Sequence, residues 1–123
     1  MATLLVVEDE PDIRSAIAEV LRDEGHRVLE AGDGSEALGV LRAGSRPDAI
    51  ILDLMMPRLD GWGFRAAQLA EPDLARIPVL VVSAHGRGLP ATRHLAKPFE
   101  LLDLLGEVDA LLGGGGGQEG RAP

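Results

Sequence analysis

Hydrophobic positions along the chain fall into two alternating patterns. Short, mostly apolar runs rich in Val, Ile and Leu predict buried strands at residues 3–7, 27–31, 49–52 and 79–82, with a weaker strand near 92–96. Between these runs, apolar residues recur three or four positions apart, which is the spacing of one helix face. The clearest example is the face formed by Ile13, Ala16, Ile17, Val20 and Leu21.

Capping residues and glycines mark where the predicted helices begin and end. Pro11 suits the first turn of the first helix, and Gly25 suits the left-handed position after its last turn. Asp33 can cap a second helix that Gly44 ends. A third helix is predicted near 61–70, although its glycines weaken it. The last predicted helix carries Leu101, Leu104, Leu105 and Val108 on one face and ends at Gly113.

The order of these elements predicts one α/β domain. Strands that alternate with helices favour parallel βαβ units with helices on both faces of the sheet, and 123 residues fit a single domain. We expect this domain to occupy residues 1–112. Residues 113–123 open with five consecutive glycines and continue with polar residues, which predicts a flexible tail or linker.

Composition and charge narrow the range of functions. The chain carries 20 acidic and 12 basic residues, a net charge of −8, so neither nucleic acid nor an anionic membrane surface is an expected partner. It contains no cysteine, which excludes disulfides and thiolate metal sites. It shows no signal-peptide pattern and no apolar run of ~18 residues, so we expect a soluble cytoplasmic protein.

Chemically active side chains follow four of the five predicted strands. Ligands of an open parallel α/β sheet bind beyond the carboxyl ends of its strands, where Glu8, Asp9, Asp53, Ser83 and Lys97 stand. Three carboxylates brought together need a proton or a cation to balance their charge, and oxygen ligands without sulfur or imidazole suit Mg²⁺. An aspartate in such a place can become an aspartyl phosphate, with the metal and Lys97 stabilising the transferring group.

Each of these residues also has an ordinary structural interpretation. The acid pair could cap a helix, Asp53 and Ser83 could be turn residues, and Lys97 could be a solvated charge. Their joint placement at strand ends favours the chemical interpretation. Lys97 is also the only lysine among 12 basic residues, and a compact ammonium fits a tight pocket better than a broad planar guanidinium.

Five stretches of the chain resemble the receiver domains of two-component response regulators. They are residues 5–10 (LVVEDE), 50–57 (IILDLMMP), 60–61 (DG), 81–84 (VVSA) and 97–99 (KPF), in that order. The resemblance covers about residues 3–112. It implies a flavodoxin-like, doubly wound parallel sheet of five strands in the order 2-1-3-4-5, like that of the chemotaxis-type single-domain response regulators.

The resemblance implies a phosphoacceptor and a metal site. Asp53 would accept a phosphoryl group from a histidine kinase or a phosphotransfer protein. Asp9, Asp53 and the main-chain carbonyl of Met55 would bind Mg²⁺ directly, and Glu8 would act through water.

The resemblance also implies how the phosphoryl group would be held. Lys97 would pair with it, Ser83 would move toward it, and Ala84 would leave room beside its oxygens. The Lys97–Pro98 peptide would be cis, which an X-Pro bond can adopt.

The chain departs from the receiver pattern between Ser83 and Lys97. If the fifth strand begins at residue 92, eight residues remain for the crossover, and a βαβ connection normally needs at least ~10–12. We therefore expect the fourth helix, between the fourth and fifth strands, to be lost or much shortened. That loss would expose apolar sheet near Leu80 and Val82 and invite a partner or a homodimer through this region.

Two histidines lie in this shortened segment. His94 occupies the place where receiver domains often carry an aromatic switch residue, and His85 lies two residues after Ser83, where it could tune dephosphorylation. Each also has an ordinary interpretation as a solvated side chain.

Together these observations favour a phosphorylation-dependent signalling switch that is not an enzyme with a separate substrate. It would signal to an unknown downstream protein by contact. One alternative is a pseudo-receiver, the same fold acting as a phosphorylation-independent interaction module, which the shortened crossover would favour. Another is a phosphohydrolase for a small molecule, which would want a general acid two residues after Asp53, where Met55 stands.

Overall fold

The computed structural model of the protein describes residues 2–53, 61–83 and 93–114. Its strands are β1 (Thr3–Val7), β2 (Arg27–Ala31), β3 (Ala49–Asp53), β4 (Val79–Ser83) and β5 (Arg93–Ala96). Its helices are α1 (Pro11–Asp23), α2 (Gly34–Arg42), α3 (Gly61–Ala70), α4 (Pro72–Ala75) and α5 (Leu101–Gly114). None of the helices described is long and apolar enough to cross a membrane.

The five described strands are parallel and lie in the order β2-β1-β3-β4-β5. This confirms the flavodoxin-like arrangement expected from the sequence. The order reverses between β1 and β3, because the chain first adds β2 on one side of β1 and then β3 on the other. In a sheet of this kind, the crevice at the carboxyl ends of the two strands where the order reverses is the usual place for a ligand.

Alternate residues of the strands face opposite helix layers, as the pleat of a strand requires. Leu5 and Val7 of β1 pack with α2, α3 and α4, whereas Leu4 and Val6 pack with α1 and α5. These four side chains are almost completely buried, and burial of each contributes about 1.5–3 kcal/mol to stability. The helix residues that complete the two layers are Ala37, Leu38, Leu41, Phe64 and Leu74 on one face and Ile17, Leu21, Leu104, Val108 and Leu111 on the other.

The predicted helix boundaries are largely as the structure has them. Pro11 is the first residue of α1, and the side chain of Asp33 accepts a hydrogen bond from the N–H of Glu36 at 2.8 Å to cap α2. Gly25 and Gly44 follow the ends of these helices with φ angles of +94° and +113°, a region that glycine adopts without steric cost. Local sequence therefore determines where both helices stop.

Two features of the helices differ from the sequence-based prediction, and three strand ends differ by one residue. The last helix continues through Gly113 and ends at Gly114, since a terminal helical turn has no sharp limit when only glycines follow. The short helix α4 was not predicted. It begins at Pro72 and buries Leu74, and a single turn is too short to show a helical period in the sequence.

The sequence analysis also predicted that the helix between β4 and β5, which is not α4, is lost or shortened. That segment comprises residues 84–92 and lies outside the described residues. The associated expectation of exposed apolar sheet is wrong. Leu80 and Val82 are 0% and 3% exposed. Both side chains face the layer that contains α1 and α5, so these helices cover them.

Candidate functional site

Two neighbouring parallel strands bring the predicted acidic residues to the same edge of the sheet. β1 ends at Val7, so Glu8 and Asp9 follow it directly, and Asp53 is the last residue of β3. Val7 lies opposite Leu52 in the ladder, which places Glu8 beside Asp53. The residues are distant in sequence and adjacent in space because β1 and β3 are paired.

Glu8, Asp9 and Asp53 form what we call the acidic cluster. One carboxylate oxygen from each residue lies within 4.8 Å of those of the other two. Glu8 and Asp53 are only 3% and 5% exposed, and Asp9 is half-buried. Like charges at this separation repel strongly where little water screens them. The cluster therefore requires compensating positive charge or a retained proton.

Lys97, which follows the edge strand β5, supplies positive charge to the acidic cluster. Its Nζ lies 3.3 Å from Asp53 Oδ1 and 3.9 Å from Glu8 Oε1. Its main-chain N–H donates to the carbonyl of Ser83 at 2.9 Å, just beyond β5. The Lys97–Pro98 peptide is cis, as the resemblance implied. One ammonium leaves the cluster with an excess of negative charge when all three acids are ionised.

The surroundings of Glu8 raise the pKa of its carboxyl group. Burial is the largest cause and, with the charge of Asp53 and a hydrogen bond involving Asp9, raises the pKa of Glu8 from 4.5 to about 7. The N–H of Glu10, which donates to Glu8 Oε2 at 3.2 Å, and the ammonium of Lys97 act in the opposite direction on this pKa. Without a further cation, Glu8 therefore keeps its proton until the pH approaches about 7.

The acidic cluster fits a hard divalent cation. All three candidate ligands are carboxylates, and Mg²⁺ prefers oxygen donors, of which the protein usually supplies one or two carboxylates. A divalent ion would supply the positive charge that Lys97 alone does not provide. Within the part of the chain that the structure describes, Glu8, Asp9 and Asp53 are the residues suited to hold Mg²⁺.

Ser83 lies on the β4 side of the same rim. It is the last residue of β4, 3% exposed, and opposite Ala96 of β5. Asp53 pairs with Val82, so Ser83 stands one residue beyond the level of Asp53 on the neighbouring strand. The structure thus gathers five of the predicted site residues at one edge: Glu8, Asp9, Asp53, Ser83 and Lys97.

The sequence analysis also named Met55, Ala84, His85 and His94 as site residues. Met55, Ala84 and His85 lie outside the described residues. His94 is exposed on β5, where it pairs in register with Val81. A switch role for His94 therefore stays a prediction.

Arg14 is a site residue that the sequence analysis did not identify. Its Nη1 donates to the main-chain carbonyl of Glu8 at 2.9 Å, and its Nε lies 3.3 Å from Glu30 Oε1 on β2. The helical pattern indicates only that Arg14 belongs to the polar side of α1. A contact between a side chain and a main-chain carbonyl leaves no periodic trace in the sequence.

Comparison with protein families adds independent information about this site. The chain matches the family model for the response regulator receiver domain over residues 4–109. That range contains the acidic cluster, Ser83 and Lys97.

Two curated relatives are similar over most of this chain. Response regulator MprA from a Mycobacterium species is 40% identical over 118 residues, which cover 89% of this chain and 50% of that protein. Transcriptional regulatory protein PdtaR from Mycobacterium tuberculosis is 37% identical over 113 residues, which cover 86% of this chain and 54% of that protein. The chain spans about half the length of the curated relatives it matches.

Three solved structures have the same fold. The receiver domain of a signal transduction histidine kinase from Syntrophus aciditrophicus has a TM-score of 0.84 and 28% identity, covering 100% of this chain and 98% of that one. The receiver domain of sensor histidine kinase PA1611 from Pseudomonas aeruginosa, solved with a magnesium ion coordinated in its active site cleft, has a TM-score of 0.80 and 28% identity, covering 91% and 98%. Response regulator protein TrrA from Thermotoga maritima, solved in complex with Mg²⁺ and BeF, has a TM-score of 0.80 and 30% identity, covering 91% and 100%.

Proposed function

The chain belongs to the response regulator receiver domain family, and from this premise we propose that it is a phosphorylation-dependent signalling switch that accepts a phosphoryl group on Asp53. The observation that carries the proposal is the convergence of three carboxylates and one ammonium at the edge of the sheet. Structural packing alone gives no reason to bury Glu8 and Asp53 side by side, because their mutual repulsion is unfavourable. Phosphoryl transfer to a carboxylate does give such a reason.

Asp53 is the nucleophile in this proposal. One of its carboxylate oxygens attacks the phosphorus of the donor, and a new O–P bond forms as the bond between phosphorus and the leaving group breaks. With a phosphohistidine donor, the electron pair of the broken P–N bond stays on the imidazole. The product is an aspartyl phosphate, which water later hydrolyses to regenerate the carboxylate.

Lys97 and Ser83 hold the transferred group. The ammonium of Lys97, 3.3 Å from Asp53 Oδ1, places positive charge where the phosphoryl oxygens arrive. The hydroxyl of Ser83, on the neighbouring strand, is assigned to hydrogen-bond a phosphoryl oxygen. This change in the surroundings of Ser83 would be the first consequence of phosphorylation.

Magnesium is the proposed cofactor. Asp9 and Asp53 are assigned as direct ligands with the main-chain carbonyl of Met55, and Glu8 as a ligand through water. When bound, Mg²⁺ neutralises charge on the phosphoryl oxygens and on the acidic cluster. The assignment is supported by the oxygen-only donor set and by the related receiver domain from Pseudomonas aeruginosa that was solved with magnesium in its active site cleft.

Labelling with a small phosphodonor tests the proposal. Wild-type protein and the Asp53→Asn variant are incubated with acetyl phosphate and Mg²⁺, and the intact mass of each is measured over time. Wild-type protein is expected to gain the mass of one phosphoryl group. Asp53→Asn is expected to gain none, since an amide is a poor nucleophile.

A matched control separates the site from a general loss of negative charge. Asp12→Asn removes a carboxylate from an exposed position in the first turn of α1 and is expected to label like wild type. Chelation of Mg²⁺ with EDTA is expected to suppress labelling of both. Equal labelling of wild type and Asp53→Asn would remove Asp53 from its assigned role.

The pseudo-receiver alternative predicts a different response to beryllofluoride, which mimics a phosphoryl group on aspartate. With Mg²⁺, beryllofluoride is expected to shift the amide NMR signals of Asp53 and Ser83 in a phosphorylatable receiver. Absence of any shift at millimolar Mg²⁺ would favour a phosphorylation-independent interaction module. The complex of TrrA with Mg²⁺ and BeF supports the choice of this probe.

The partners and the location complete the proposal. A histidine kinase or phosphotransfer protein is the proposed phosphodonor, and the proposed target of the signal is an unidentified downstream protein. We place the protein in the cytoplasm, without direct contact to nucleic acid or membrane. Residues 1–112 are proposed to suffice for phosphorylation, which a variant truncated after residue 112 would test. We also propose a homodimer that forms through the β5 region. Analytical ultracentrifugation with and without beryllofluoride would detect it.

A further inference from the structure

The guanidinium of Arg14 connects three elements next to the acidic cluster. Nη1 donates to the carbonyl of Glu8 at 2.9 Å, and Nε lies 3.3 Å from Glu30 Oε1 on β2. Glu30 also pairs through Oε2 with Nη2 of Arg22, at 3.2 Å. α1 is therefore joined both to β2 and to the residue that follows β1.

The carbonyl that Arg14 contacts lies where the sheet no longer provides a donor. The pairings of β1 with β2 and with β3 end at Val7. The N–H of Glu8 still donates to the carbonyl of Ala31 at 3.1 Å. The carbonyl of Glu8 instead receives its hydrogen bond from Arg14, so both polar main-chain groups of this buried residue are hydrogen-bonded.

This carbonyl belongs to the peptide unit that joins Glu8 to Asp9. A peptide unit is planar, so fixing its oxygen also fixes its nitrogen. That nitrogen is the main-chain nitrogen of Asp9, and its orientation limits the directions in which the Asp9 side chain can point. The hydrogen bond from Arg14 therefore constrains the main chain at Asp9.

The absence of a side chain at Gly32 leaves room for the guanidinium of Arg14. A Cβ atom added to Gly32 would lie 3.3 Å from Nη1 of Arg14, a separation at which the guanidinium would have to move by a few tenths of an ångström. Arg14 itself is mostly buried, with 21% of its side chain exposed. The hydrogen bond to Glu8 and the ion pair with Glu30 hold the guanidinium in place, as a residue that orients another group requires.

We propose that Arg14 is a positioning residue that, through the carbonyl of Glu8, orients the Glu8–Asp9 pair for Mg²⁺ binding. The inference rests on the proposed magnesium site. Groups that orient metal ligands in this way typically contribute ~10–100-fold to metal affinity. Charge alone predicts the opposite effect, because removal of a nearby cation strengthens the binding of Mg²⁺ to carboxylates. The sign of the change therefore separates the two roles.

Calorimetric titration of the full chain with MgCl₂ tests this inference. Arg14→Gln is expected to weaken Mg²⁺ binding about tenfold or more. Arg22→Gln is the matched control, because Arg22 lies on the same helix and pairs with the same Glu30 but donates to the carbonyl of Val28, at 2.9 Å, instead of that of Glu8. Its Mg²⁺ affinity is expected to stay within about twofold of wild type, since it does not contact the cluster.

The outcomes distinguish this inference from the proposed function. If wild type binds Mg²⁺ and Arg14→Gln binds it equally or more tightly, the positioning role is overturned and the proposed function stands. If wild type does not bind Mg²⁺, both are overturned. Urea unfolding without Mg²⁺ shows whether each variant is folded.

Arg14→Lys carries the test if Arg14→Gln does not fold. Lysine keeps the positive charge, but one ammonium cannot reproduce the two differently directed N–H bonds of the guanidinium. A fall of about threefold or more in Mg²⁺ affinity, at unchanged charge, is expected because one of the two bonds is lost. Affinity equal to that of wild type would overturn the inference.

Discussion

The two sides of the acidic cluster are built from strands with very different surroundings. All five residues of β3, which carries Asp53, are buried, and β1 beside it is buried at all but its first residue. In β5, which leads to Lys97, three of four residues are exposed and only Leu95 is half-buried. β3 lies in the middle of the described sheet between two helix layers, whereas β5 is its edge strand.

The acidic cluster and Lys97 thus stand on two kinds of support. The carboxylates follow the buried strands β1 and β3, which we call the fixed side, and Lys97 follows β5, which has little packing. The carboxylates gain their positions from strands that also form the hydrophobic core, so a change near them affects both stability and chemistry. Lys97 reaches the cluster from a strand that contributes little to the core. Its chemistry and the stability of the fold should therefore be separable by substitution.

Truncation of one leucine on each side should give the largest difference. Leu52→Ala on β3 is expected to lower the free energy of unfolding by about 2–5 kcal/mol, because it leaves a cavity beside Asp53 where the side chain is fully buried. Leu95→Ala on β5 is expected to cost about 1 kcal/mol or less, since Leu95 is half-buried. Urea unfolding measures both values. Equal losses would show that β5 is packed as firmly as β3.

Substitution of Lys97 should separate chemistry from stability. Lys97→Met is expected to slow labelling by acetyl phosphate about 10- to 100-fold, because the cation beside the arriving phosphoryl group is lost. With Mg²⁺ present, the free energy of unfolding should change by about 1 kcal/mol or less, since the metal compensates the charge of the buried carboxylates and the Lys97 side chain itself is 32% exposed.

Lys97→Arg is the control for charge alone. It is expected to recover only part of the labelling rate, because the guanidinium is broader than the ammonium. Full recovery would show that the pocket selects charge and not shape. A large loss of stability in Lys97→Met would contradict the separation between the two sides.

On the fixed side, the buried carboxyl group of Glu8 should make the free energy of unfolding depend on pH when Mg²⁺ is absent. The folded state raises the pKa of Glu8 from 4.5 to about 7, so folding favours its protonated form. The stabilising contribution is fully present below about pH 4.5 and is lost as the pH rises through about 7. The free energy of unfolding of Glu8→Gln, which cannot ionise, is therefore expected to exceed that of wild type by about 3 kcal/mol at pH 8 and by little at pH 4.

Addition of Mg²⁺ provides the counterpart to this measurement. Bound Mg²⁺ favours the ionised carboxylates, so millimolar Mg²⁺ at pH 8 should stabilise wild type more than Glu8→Gln. Urea unfolding at the two pH values, with and without Mg²⁺, compares wild type with Glu8→Gln under all four conditions. An equal pH dependence of both proteins would show that Glu8 is not the group responsible.

The smallest effect is expected at the outer side of β5. Arg93 forms an ion pair with Glu107 of α5, and the Arg93 side chain is 42% exposed. Arg93→Gln is expected to change the free energy of unfolding by about 0.5 kcal/mol or less, as exposed ion pairs usually do, and to leave phosphorylation unchanged. A loss of labelling would show that the edge strand depends on this pair to deliver Lys97.

Much of this architecture follows from short-range properties of the chain. The period of apolar residues distinguishes strand from helix, and Pro11, Asp33, Gly25 and Gly44 set helix boundaries through their own backbone and hydrogen-bonding preferences. Because ligands of parallel sheets gather at strand ends, the sequence also predicted which acids, which hydroxyl and which ammonium share one rim. These inferences need only neighbours in sequence and one rule of topology.

Other features depend on contacts between elements that no local pattern encodes. The hydrogen bond from Arg14 to the carbonyl of Glu8, the burial of Leu80 and Val82, and the raised pKa of Glu8 all arise from the three-dimensional surroundings of each group. A side chain that bonds a main-chain atom leaves no sequence pattern, and burial depends on which helix layer a strand residue faces. Electrostatic and packing energies are set by distances in space, and only the folded chain brings these groups close enough to interact.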